Sequence, residues 1–134
     1  MVQQLVVQTR GQGLYEFTDR VEAIITASGV SEGLCTVFVQ HTSASLTIQE
    51  NADPSAKHDL EQWLSRLVRE DDPHFTHTSE GPDDMPSHIK AALTATSLAI
   101  PVMDGKPALG TWQGVYLWEH RHRGHARRVI VQVA

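Results

Sequence analysis

Apolar residues recur along this chain in two rhythms, one of period two and one of period three to four, and the rhythms divide it into short elements. Val2 to Thr9 places Leu5, Val6 and Val7 among glutamines and predicts a first strand ending at Arg10-Gly11-Gln12-Gly13. Val21, Ile24 and Ile25 then recur at helical spacing, with Thr18 and Asp19 as N-capping oxygens and Ser28-Gly29 as a stop. Leu34 to His41 is β-branched and apolar, and Ser45 to Gln49 continues as a strand after a turn at Thr42-Ser43-Ala44. Asp53-Pro54 opens the longest helix, with Ala56, Leu60, Trp63, Leu64, Leu67 and Val68 on one face and an end near Asp71-Asp72-Pro73. Residues 73 to 86 have no apolar period and predict a loop. Pro86 starts a short helix with Ile89 and Leu93 on a shared face, and Ser97 to Val102, Val115 to Glu119 and Arg128 to Val133 read as strands.

Five to seven strands with two or three helices, in no βαβ alternation, predict one α+β domain over residues 1–134 with a mostly antiparallel or mixed sheet. A length of 134 residues allows burial of roughly two thirds of the unfolded surface, so a real core is expected. The net charge of -5 gives a long polyphosphate no global attraction and argues against nucleic acid as a partner. The first residues lack a basic start and a long apolar stretch, and no run approaches the ~18 apolar residues of a membrane helix. A cytoplasmic protein with no membrane partner is the resulting expectation. The lone cysteine, Cys35, sits in an apolar run and reads as an inert core thiol.

Eight histidines change this plain picture, because several lie beside carboxylates. His41 shares strand parity with Cys35, Val37 and Val39, so it is either a core histidine bonded to a carbonyl or a ligand at the end of an apolar face. Glu50 and Asp53 follow closely, Asp53 having a sufficient role as a helix cap. His77 and His88 flank Glu80, Asp83 and Asp84, a mixture of nitrogen and oxygen donors that zinc and manganese accept; a solvated acidic loop is the competing reading. His88, expected in the first helical turn, would also suit an anion. Glu119 shares parity with Val115 and Leu117, so its carboxylate needs a metal, a substrate cation or an arginine such as Arg121 or Arg128. Gly-rich phosphate loops, Gly-x-Ser-x-Gly elbows, dinucleotide fingerprints and Cys-x-x-Cys pairs are missing, so any chemistry comes from residues converging in space.

Six strings carry a resemblance: His41 to Thr47, Glu50-Asn51-Ala52-Asp53-Pro54, His58-Asp59, Glu80 to Lys90, Gly110-Thr111-Trp112-Gln113-Gly114 and Glu119-His120-Arg121. In this order and spacing they resemble the YjbQ family, also called the secondary thiamine-phosphate synthase enzyme family, almost end to end. The resemblance implies a compact β-sandwich with packed helices, a homotrimer and a cleft that gathers the motif residues. His41 at the end of an apolar strand face, with His77 and His88 around the acidic loop, predicts a divalent metal on these three imidazoles, zinc foremost and magnesium or manganese otherwise. The resemblance further implies catalytic roles for His41, Glu50, Asp84 and Glu119, and substrate contacts from Ser43, Asp53, Lys90, Trp112, Gln113 and Arg121. The implied reaction joins hydroxymethylpyrimidine diphosphate to thiazole phosphate with release of pyrophosphate. The alternatives are metal-dependent hydrolysis of a phosphorylated metabolite, with Glu50 or Glu119 as base, and a trimeric metal- or ligand-binding protein without turnover.

Overall fold

The computed structural model describes all 134 residues, in the order β1 (Val2–Gln8), β2 (Gly13–Glu16), α1 (Thr18–Ser28), β3 (Gly33–Val39), β4 (Ala44–Glu50), α2 (Pro54–Leu67), α3 (Asp84–Leu93), β5 (Ser97–Met103), β6 (Lys106–Pro107), β7 (Gln113–Glu119) and β8 (Ala126–Val133). Sheet A has the order β1-β8-β3-β5-β6 and sheet B the order β2-β7-β4, with every pair antiparallel. The α+β expectation is met. No helix is long and apolar enough to cross a membrane.

Strand parity builds the layers. The inward residues of sheet A, among them Leu5, Val37, Ile100, Val129 and Val131, meet Ala44, Leu46, Val115 and Leu117 of sheet B in one core, which Val21, Ile24 and Ile25 of α1 complete. Sheet B is covered on its other face as well, because Leu14, Tyr116 and Trp118 pack against Leu64 and Val68 of α2 and its C-terminal cap. This is why six consecutive residues of β7, Gly114 to Glu119, are all buried. Cys35 lies in the main core, and burial pushes its thiol up to about 11, so it is inert at neutral pH.

Several local expectations need correction. α1 has no side-chain cap: Phe17 holds the cap position, and the Thr18 hydroxyl instead accepts the Val115 N–H at 2.8 Å and donates to Glu16 at 2.7 Å. Tying the helix to β7 takes the oxygen away from capping. Asp53 does cap α2, accepting the Ser55 N–H at 2.9 Å, but the helix stops at Leu67, and Trp63 and Leu67 of its expected apolar face stay about half exposed. Only the strip through Leu60, Leu64 and Val68 reaches sheet B. α3 begins at Asp84, two residues before Pro86, which is tolerated because N–H groups of a first turn have no helical acceptor to lose. His88 consequently lies in the second turn, one turn below Asp84. β2 and β6, at four and two residues, are too short for a periodic signal.

Candidate functional site

The loop before α3 and the first two turns of that helix converge on one carboxylate. Asp84 and His88 are four residues apart and share a helix face. Asp84 Oδ2 lies 2.8 Å from His77 Nε2 and 3.2 Å from His88 Nε2, while Arg121 Nη1 donates to Asp84 Oδ1 at 2.8 Å. The ligand-capable atoms of His77, Asp84 and His88 all fall within 4.8 Å of one another. Arg121 also donates to Asp83 Oδ2 at 2.9 Å and to the Glu80 carbonyl at 2.9 Å, so one guanidinium fixes the acidic turn.

Electrostatics keep both aspartates ionised. Burial works to raise Asp84, but the hydrogen bond from His77 and the charges of His88 and Arg121 outweigh it and hold the carboxyl below its usual range. Asp83 is likewise opposed by burial, yet the hydrogen bonds from Arg121 and from the His122 N–H bring it to about 2.

The hydrogen bonding of His88 decides its tautomer. Its Nδ1 lies 3.0 Å from the Thr42 carbonyl, which can only accept, so Nδ1 carries the proton. Without a second proton on the ring, the Nε2 lone pair would face the Asp84 carboxylate oxygen 3.2 Å away. Two acceptors at that distance require something positive between them, either a second proton on the ring or a cation. A carbonyl bonded to the far nitrogen is also the usual support of a metal-ligating histidine.

His41 is not part of this cluster: the structure brings His77 and His88 together with Asp84 and leaves His41 apart. Its Nε2 accepts the Arg128 N–H at 2.8 Å, which consumes the lone pair, and burial with the Arg127 and Arg128 charges lowers its pKa.

Glu119 belongs to a neighbouring group, and its arginine is Arg127, neither Arg121 nor Arg128. Oε1 accepts from Thr9 Oγ1 at 2.6 Å and Arg127 Nε at 2.8 Å; Oε2 accepts from Arg127 Nη2 and from the Arg121 N–H at 3.2 Å. With both oxygens engaged in this way, the buried carboxylate has the surroundings of a structural ion pair and is poorly placed to take a substrate proton. Ser43 joins the same group, its hydroxyl 3.0 Å from Arg127.

The remaining expected residues lie elsewhere. In the β4–β7 register Ala44 faces Glu119 and Glu50 faces Gln113, so Glu50 and Gln113 stand at the far end of sheet B, about 20 Å along the strands. Glu50 accepts the Asp53 N–H at 3.2 Å, Gln113 accepts the Gly110 N–H at 2.8 Å, and Trp112 is exposed. Lys90 is buried on the other side of α3 from His88. The sequence reading missed Arg127, Asp83 as the anchor of Arg121, and His120. Parity held a clue to two of them: Arg127 continues the inward row of Val129, Val131 and Val133, and His120 that of Tyr116 and Trp118.

Comparison with known proteins settles the lineage. The family model described as UPF0047 protein YjbQ-like matches residues 3–134. The chain belongs to the YjbQ-like UPF0047 family. It is 55% identical over 130 residues to a UPF0047 protein of Synechocystis, covering 97% of this chain and 88% of that one. The UPF0047 protein YjbQ of Escherichia coli O157:H7 is 43% identical over 127 residues, 94% of this chain and 91% of the relative. Among solved structures, a conserved hypothetical protein from Thermus thermophilus superposes with a TM-score of 0.87 at 34% identity, covering 98% of this chain and 99% of that one. A YbjQ-like protein from Sulfolobus solfataricus reaches 0.90 at 25% identity, covering 99% and 95%. The family and its fold are thus those expected from the motif strings.

Proposed function

We propose that this protein is an enzyme acting on a small phosphorylated substrate with one divalent cation, zinc foremost, held by His77, Asp84 and His88. The observation that carries the proposal is the close approach of His77, Asp84 and His88, whose ligand-capable atoms lie within 4.8 Å of one another, with the His88 Nδ1 already held by the Thr42 carbonyl. Two nitrogens and one oxygen suit zinc, and three protein ligands leave a position for substrate or water. The cation supplies Lewis-acid polarisation of a phosphoryl oxygen.

The chain's own residues do the rest. Arg121 holds Asp83 and Asp84 in place and thereby orients the ligand carboxylate. Next to it lies a cleft of about 380 Å³ lined by Glu80, Asp83, Arg121, His122, Arg123 and His125, where the Arg123 guanidinium and the two imidazoles can receive phosphate oxygens. A cleft of this size favours one small substrate, so hydrolysis of a phosphorylated metabolite is the first reading. The Arg123 guanidinium with the N–H donors of the two imidazoles beside the cluster also suits a pyrophosphate leaving group. That favours, as the second reading, the transfer implied by the resemblance to secondary thiamine-phosphate synthases.

The test supplies the purified, zinc-loaded protein with hydroxymethylpyrimidine diphosphate and thiazole phosphate, together and separately, and with a panel of phosphate monoesters. Phosphate or pyrophosphate released from single substrates, and lost in His88→Ala, supports hydrolysis. Pyrophosphate that appears only when both synthase substrates are present supports transfer. Release from none of them, by protein that retains the cation, rejects both enzymatic readings.

A further inference from the structure

Helix α3 presents a second polar site on its opposite face. Lys90 follows His88 by two positions, about 200° around the helix, and so points away from the cluster of His77, Asp84 and His88. It enters a separate cavity of about 170 Å³ between α2, α3 and the helix-covered face of sheet B, lined by Lys90, His120, Gln12, Gln62 and Ser65 together with the carboxylates Glu61 and Glu119, the latter neutralised by Arg127. At ~30 Å³ per water the space corresponds to about six waters.

Three of the polar lining groups, Lys90, His120 and Glu119, are almost fully buried. Lys90 is 4% exposed, and its ammonium makes no hydrogen bond or ion pair; the carboxylates that bear on it electrostatically, Glu70 and Asp83, lie beyond ion-pair distance. Glu61, although it lines the cavity, spends Oε2 on the Leu14 N–H at 3.0 Å. His120 is 1% exposed, with Nε2 bonded to Ser45 Oγ at 2.8 Å, which leaves Nδ1 as its unpaired ring nitrogen. Ser45 is sealed in the core and does not line the cavity, so the Ser45–His120 pair is no hydrolytic dyad.

No side-chain nitrogen is sealed off without a partner, so the ammonium reaches the cavity space, where water or an anion can meet it; an anion there also supplies the counter-ion that the protein does not. We propose that this cavity is a binding site for a small oxyanion, a carboxylate or phosphate group, held by Lys90 with the His120 ring and the Gln12, Gln62 and Ser65 side chains around it. Burial already lowers the Lys90 pKa, and an anion in contact would reverse that shift. The site is separate from the proposed metal centre and does not depend on it.

Three lysines, Lys57, Lys90 and Lys106, make the test direct. In protein carrying ¹³C-lysine, the ε-carbon signals are followed at fixed pH and constant ionic strength during titration with inorganic phosphate and, separately, with acetate. The expected result is a saturable shift of the Lys90 signal alone, retained in His88→Ala, with the more tightly bound probe identifying the anion class. A shift of all three signals together, or no saturable shift of Lys90 with either probe, overturns the proposal. Lys90→Met provides the assignment. If that variant does not fold, Lys57→Arg and Lys106→Arg assign the remaining signal by elimination.

Discussion

Asp84 holds its carboxylate between two imidazoles and a guanidinium, and Glu119 is as fully partnered, whereas the Lys90 ammonium has no protein partner. Glu119 and Arg127 are paired with good geometry inside the protein. Glu119→Gln should therefore leave an arginine charge poorly paired and cost about 3–5 kcal/mol, with turnover per folded molecule retained. Melting temperature and turnover measured on one preparation check this, and turnover lost at an unchanged melting temperature would restore Glu119 as a base. His120 gives a pH signature: burial first, then the Lys90 and Arg127 charges, lowers it to about 3 from 6.5. The unfolded chain takes up that proton and the folded one does not, so this contribution is complete above pH 6.5 and shrinks as the pH falls toward 3. At pH 5 the loss is about 2 kcal/mol. His120→Gln should flatten the fall in melting temperature between about pH 6.5 and 4, and an unchanged slope would contradict the assignment. Asp83 adds nothing in that window, since its depressed value matters only as the pH drops from about 4 toward 2. Parity placed Glu119 correctly on the inward face, because period two is a local property of the strand. It pointed to Arg121 or Arg128 and passed over Arg127, because the partner is set by where the end of β7 meets the start of β8 in the folded chain.

At the scale of elements, α3 carries the candidate chemistry on two faces, Asp84 and His88 toward the Thr42 carbonyl and Lys90 toward α2 and sheet B. The acidic loop and its flanking histidines were visible in the chain as a mixed donor set, and three of the four residues that meet there, His77, Asp84 and His88, stood in one stretch of twelve. Their assembly with Arg121 was not legible, since it follows from the turn after β7 lying beside the start of α3. The far-end residues Glu50, Gln113 and Trp112 show the converse: motif strings that sit near one another in the family pattern lie apart along sheet B. The short β2 strand was missed altogether, although it anchors α2. Its Gly13 has φ of +147°, and a Cβ there would come within 2.4 Å of Glu61 Oε2. Gly13→Ala should therefore cost about 1–3 kcal/mol and break the Glu61 contact with Leu14, which chemical denaturation reads directly. A midpoint equal to that of the parent would show that β2 relaxes freely.

For the whole molecule, the inner layers are well covered while the outer face of sheet A is not: Val2, Val6, Leu34 and Phe38 are each more than 40% exposed. An apolar face of this kind is a natural contact between copies, and it supports the homotrimer as the proposed assembly. Light scattering should then give about three times the 14.9 kDa chain mass at micromolar concentration, and a monomer mass throughout would reject it. The layered α+β architecture was readable in advance because apolar periodicity records which faces are buried. The site was readable only as a list of residue types, because ligand sets are made by tertiary approach. The proposed chemistry turns on whether a cation joins His77, Asp84 and His88. Calorimetric titration of the metal-stripped protein with zinc decides this, comparing the parent with Asp84→Asn and His41→Ala. One ion per chain is expected in the parent and in His41→Ala, with affinity lowered about 100-fold or more in Asp84→Asn. No zinc bound by the parent, or binding lost in His41→Ala and kept in Asp84→Asn, would contradict the proposed centre.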